Sequence, residues 1–123
     1  MRTGFFWQGL SRAAQVVLRE ARLSVEEVVL DPAEGPASEQ LMRRFDPRHH
    51  RIDLSEAPLQ RLAVAYDAEQ DRWLVLWLQH HLIGDHSTME TLSAEVGALL
   101  EDSEAVLAPT QPFRTLIAQA RLC

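Results

Sequence analysis

The chain has 123 residues, 46% of them hydrophobic and 24% charged, with a formal net charge of −6. That length and composition suit one small packed domain and exclude a disordered segment. The acidic balance, with arginines scattered along the chain, argues against a nucleic-acid or anionic-membrane surface, which needs clustered Lys and Arg.

The start, "MRTGFFW", has one arginine and too short an apolar stretch for a signal peptide. "QVVLRE" and "VEEVVL" are β-branched runs that predict strands near Gln15 to Glu20 and Val25 to Leu30. "DPAEGPAS", Asp31 to Ser38, is a loop. Ala37, Leu41 and Phe45 then recur at helical spacing until Asp46-Pro47, where the residue before proline disfavours the helical region. "RRFDPRHHR", Arg43 to Arg51, is the densest basic stretch and reads as a solvated helix end.

"LAVAY" (Leu62 to Tyr66) and "RWLVLWL" (Arg72 to Leu78) flank a polar "DAEQD" and predict an antiparallel hairpin. Trp73, Val75 and Trp77 face one way, and Leu74, Leu76 and Leu78 the other. With both faces apolar, the second strand is expected to be central and covered on both sides. After His86 the period changes. Ser87 and Glu90 fit a capping box, and Met89, Leu92, Val96, Leu99 and Leu100 share one helical face. "APTQP" breaks the chain, and "FRTLIAQARL" predicts a further short helix. The expected fold class is mixed α and β (α+β), with helices flanking a mostly antiparallel sheet.

One cysteine, Cys123, cannot form an internal disulfide, and no apolar run reaches the ~18 residues of a membrane span. A cytoplasmic protein is the expectation.

Between the hairpin and the next helix lies "LQHHLIGDHSTMETL", Leu78 to Leu92. If the strand runs straight into His80 and His81, the two imidazoles point to opposite faces. Gly84 would ease the turn by tolerating positive φ. Three readings stay open: hydrogen-bonded structural histidines with an ion-paired Asp85, a catalytic centre, or a His/Asp metal site. The metal reading needs three or four convergent ligands, and His49 and His50 are the other histidines that could add to it. An arginine, Arg61 or Arg2, is the expected partner of Asp85. A serine-hydrolase reading fails for want of a G-x-S-x-G elbow.

"HHLIGDHS" resembles the HHxxxDG motif of the condensation domains of non-ribosomal peptide synthetases, whose wider superfamily shares HxxxD with chloramphenicol acetyltransferase. The flanks extend the likeness. "RIDLSEAPLQRLAVAYD" resembles the family's stretch before the motif. "QVVLREARLSVEEVVL" resembles its upstream strand pair, "MRTGFFW" the end of an earlier R-H-x-x-L-R-T motif, and "PFRTLIAQARL" the segment after the motif helix. One departure stands inside the motif: His86 occupies the usual glycine position.

The resemblance implies that residues 1–123 form the inner part of the N-terminal half of such a domain, in a chloramphenicol acetyltransferase-like half-fold. The intact domain would join a carrier-bound acyl or peptidyl thioester to an aminoacyl acceptor. It also implies a role for His81 in catalysis, as general base or as stabiliser of the tetrahedral intermediate. His80, Gly84, Asp85 and Arg61 would support the motif, and His86 would lie near substrate. No cofactor is expected to bind directly, because the phosphopantetheine arms belong to partner carrier domains, with an adenylation domain in the same synthetase. Taken alone, the chain is expected to be inactive. A non-catalytic interaction module is the alternative, and self-association through exposed apolar area and strand edges is expected.

Overall fold

The computed structural model describes residues 1–123, which divide into two compact units, Met1–Gly84 and Asp85–Cys123. In the first unit, β1 (Thr3–Phe6) and β2 (Ala14–Val17) form an antiparallel ribbon, with Thr3 opposite Val17. Strand β1 is a short run without the alternation that flags a strand, and its pairing with β2 is what makes it one. The ribbon is tied to the rest of the unit where the Phe5 N–H donates to the Leu54 carbonyl at 2.7 Å.

Three further strands make a mixed sheet in the order β3-β4-β5: β3 (Ser24–Glu27), β4 (Gln60–Asp67) and β5 (Arg72–Gln79). β3 runs parallel to β4, with Ser24 opposite Arg61. β4 and β5 form the expected antiparallel hairpin, from Gln60 opposite Gln79 to Asp67 opposite Arg72. A parallel pair needs a crossover. Here it contains the helix α1 (Ala37–Arg44), which packs on β4 and β5.

The core lies between α1 and the sheet. Leu41 and Phe45 meet Val28, Ala63 and Ala65, with Leu30, Leu74, Leu76 and Leu78 partly buried around them. Gln40 is also buried. Its side-chain amide donates to the carbonyls of Asp31 and Gly35, both at 2.7 Å, and so fastens the 31–36 loop to the helix.

Two expectations are corrected. The two early strands are shorter than expected and do not pair with each other, because each finds a different partner. The strand pairing is mostly antiparallel, as expected, with one parallel pair where β3 reaches β4 through a helical crossover. β5 is an edge strand and β4 the central one, and α1 covers only the face of Leu74, Leu76 and Leu78, so Trp73 and Val75 on the other face are 58% and 63% exposed. An apolar run on both faces reports what a strand can bury, not how many strands flank it.

The second unit holds α2 (His86–Glu101) and α3 (Phe113–Leu122), with no fully buried residue in either helix. The cap of α2 differs from the expected Ser87–Glu90 box. Asp85 is the N-cap: its carboxylate accepts from the Thr88 N–H, and Thr88 Oγ1 accepts from the Asp85 N–H at 3.3 Å. Asp is as good a cap as Ser, so the helix starts two residues earlier than the Ser-x-x-Glu spacing suggests.

Candidate active-site motif

The His-His-x-x-x-Asp motif spans both units, and each part is built by its own neighbours. In the first unit β5 ends at Gln79, so the two histidines do not sit on a strand with opposed side chains. His80 caps a short 3-10 turn, His81–Ile83. Its N–H donates at 3.0 Å to the carbonyl of Leu59, the fully buried residue just before β4, which ties the two ends of the hairpin together. Its Nδ1 accepts the Leu82 N–H at 3.1 Å. A neutral imidazole accepting at Nδ1 carries its proton on Nε2, so this contact assigns the His80 tautomer. His81 differs: its side chain is exposed and makes no hydrogen bond or ion pair. Of the two adjacent histidines, one is consumed by the turn and the other is free.

Beneath the turn is a polar layer that reading the sequence does not reveal. Gln60 and Gln79 face each other across the hairpin. The Trp77 indole N–H donates to Gln60 Oε1 at 3.1 Å, and Gln60 is only 6% exposed. The signal available in the sequence is a glutamine at each end of the hairpin's apolar runs, a pattern that also fits plain strand termini.

Arg61, on β4, is held locally. Its Nη1 donates to the carbonyls of Pro58 and Gln60 at 3.0 and 2.9 Å, and its Nη2 lies 3.6 Å from Glu56. Arg2 donates to the Arg19 carbonyl. Gly84 has φ 176°, an extended backbone open to any residue, so the expected positive φ is not found.

In the second unit, Asp85 takes its hydrogen bonds from Ser87 Oγ at 2.8 Å, the Thr88 N–H at 3.0 Å and Thr88 Oγ1 at 3.0 Å. The Ser87 hydroxyl first, then the two Thr88 donors, stabilise the ionised carboxyl and lower its pKa from 3.8 to about 2. The expected arginine partner is therefore replaced by a helix cap, because the first turn of α2 already supplies the donors. His86 begins α2, with Nε2 3.3 Å from Glu90 Oε1, one helical turn on. A helical backbone accepts any L residue, which accounts for histidine where the family motif has glycine. Within either unit, no three His, Cys, Asp or Glu side chains converge. No helix is long and apolar enough to cross a membrane.

The same fold recurs in solved synthetase domains. The chain superposes with TM-score 0.76 on the epimerization domain from the third module of tyrocidine synthetase B, at 18% identity, over 96% of this chain and 28% of that one. With a condensation domain that mediates chain release from the enacyloxin polyketide synthase, the TM-score is 0.65 at 21% identity, over 98% of this chain and 24% of that one. The α+β fold is thus that of condensation-type domains.

Sequence relatives narrow the class. The chain is 55% identical over 122 residues to malpinin synthetase and 47% identical over 121 residues to malpibaldin synthetase, both from Mortierella alpina. It is 31% identical over 98 residues to tyrocidine synthase 3 of Brevibacillus parabrevis. These matches cover 99%, 98% and 75% of the chain but only 2%, 2% and 1% of the respective relatives, so the chain spans a small fraction of their length. No family model matches it. The chain belongs to the condensation-type domains of non-ribosomal peptide synthetases, as a part of one such domain.

Proposed function

We propose that the chain supplies the motif-bearing part of a condensation domain that forms an amide between two carrier-bound substrates. The observation that carries this reading is the division of labour between the two histidines. His80 is committed to the backbone, and His81 beside it is exposed and free to meet a reacting group.

In the intact parent, the acceptor amine attacks the donor thioester carbonyl. A C–N bond forms, and the tetrahedral intermediate carries an oxyanion and an ammonium. His81 accepts the ammonium proton, the C–S bond breaks, and the thiolate leaves and is protonated. An α-amino group has pKa ~7.7–8.0, so a useful share is already neutral near pH 7. Deprotonation before attack therefore gains little, and proton removal from the intermediate, with positioning, gains more. Asp85 acts as the cap that begins α2, and Arg61 as the brace of the 56–60 turn.

The partners in this proposal are carrier domains, whose phosphopantetheine arms bring both thioesters, and the adenylation domain that loads them, in a cytoplasmic setting. Association of copies through β5 belongs to the same proposal. That edge is eight residues long, with Trp73 and Val75 exposed and no charge between Arg72 and Gln79. A clean monomer by light scattering at high concentration removes this last element.

The test is His81→Ala in the intact parent domain with both carriers loaded. Amide formation should fall about 10²-fold or more. An unchanged amide yield removes His81 from the chemistry. Because the tyrocidine neighbour is an epimerization domain, the assay also reads the donor α-carbon. Inversion there without an amide product refutes the condensation reading.

A further inference from the structure

The first unit holds a cavity of about 190 Å³ that the His81 chemistry does not use. It lies where the loop after α1 passes over the sheet. One water needs about 10–15 Å³, so the space suits a small organic molecule. The pairing register places its strand residues on one face: Ser24 is opposite Arg61, Glu26 opposite Ala63, and Arg61 opposite Leu78. The loop contributes Phe45, His50, Arg51 and Ile52. The Phe45 and His50 rings meet at a tilt of 47° with centroids 5.1 Å apart, which steadies that wall.

The lining combines apolar and polar side chains. Phe45, Ile52, Ala63 and Leu78 give the apolar part. Glu26 and Arg51 carry opposite charges, and both are exposed. The four ion pairs of the chain join Arg48 to Asp46, Arg61 to Glu56, Arg72 to Asp67 and His86 to Glu90, so neither Glu26 nor Arg51 is paired. A cavity that offers a free carboxylate, a free guanidinium and apolar side chains complements a molecule with an ammonium, a carboxylate and an apolar side group.

We infer that this cavity is a binding site for a small zwitterion of the apolar α-amino acid class, with the ammonium on Glu26, the carboxylate on Arg51 and the side chain over Phe45 and Leu78. The site is independent of the proposed condensation. There the acceptor's carboxyl is held as a thioester, so no free carboxylate takes part.

The experiment is an NMR titration of the 123-residue chain with L-leucine, followed on the His50 imidazole and the 45–52 amides. Binding should saturate, and Glu26→Gln and Arg51→Gln should each weaken it about tenfold. Both side chains are exposed, so the variants should fold like the parent chain. N-acetyl-L-leucine, which lacks the ammonium, and L-leucinamide, which lacks the carboxylate, should bind as weakly as the variants bind leucine. The site is refuted if the shifts never saturate, if both variants retain the parent affinity, or if both blocked leucines bind as tightly as leucine. None of these results depends on amide formation at His81.

Discussion

Replacing Trp77 by phenylalanine keeps an aromatic ring on β5 and removes one donor. In the structure that donor is the indole N–H, 3.1 Å from Gln60 Oε1, on a glutamine only 6% exposed. Leaving a buried acceptor unpaired costs about 1–3 kcal/mol. At about 2 kcal/mol, and roughly 4–8 °C per kcal/mol for a unit of this size, the Tm should fall by roughly 8–16 °C. The assay is thermal unfolding by circular dichroism, repeated for Gln60→Leu and for the double variant. Removing both polar partners leaves no orphan, so the double variant should recover at least about 1 kcal/mol of the summed single costs. The hairpin also carries the His80 N–H bond to Leu59, so exchange of that amide should quicken in Trp77→Phe. If the single costs add to within about 0.5 kcal/mol, the two side chains are uncoupled and the reasoning is wrong.

Gln40→Met should cost about 1–3 kcal/mol, read by urea unfolding, because it leaves the Gly35 carbonyl without its donor, while the Asp31 carbonyl keeps the Glu34 N–H; an unchanged midpoint would show that water replaces the amide. Leu59→Ala, at a fully buried site, should cost about 2–5 kcal/mol and loosen the turn that carries His80. The Asp85 carboxyl should titrate near pH 2 by carbon NMR, and its stabilisation of α2 should be complete above pH 3.8 and fade as pH falls through about 2. The direction follows from a pKa depressed in the folded state. Asp85→Ala should abolish that acid dependence in the α2 amides, and a titration midpoint near 3.8 would contradict the cap. His80→Ala should destabilise the turn, whereas His81→Ala should leave the stability within about 0.5 kcal/mol of the parent, since its imidazole has no partner.

Local chemistry was enough to locate α1, the β4–β5 hairpin and the two later helices, because each rests on interactions between near neighbours. The helical repeat of Ala37, Leu41 and Phe45 is stopped at Asp46-Pro47, and the two apolar runs are joined by a short polar turn. The histidine motif and its flanks likewise identified the family from residue identities alone. Reading failed where the partner is distant or where two local solutions compete. β1 exists by pairing with β2, and the parallel β3–β4 contact and the edge position of β5 depend on which strand finds which. The cap is the competing case: Ser87 and Asp85 both suit an N-cap, and the start of α2 at His86 selects Asp85. That selection also decides what Asp85 does, since a carboxylate holding the Ser87 and Thr88 donors already has its hydrogen bonds. The contrast between His80 and His81 is tertiary in the same sense. The two share a residue type and adjacent positions, and only the turn after β5, where His80 Nδ1 accepts the Leu82 N–H, spends one imidazole on the backbone and leaves the other exposed.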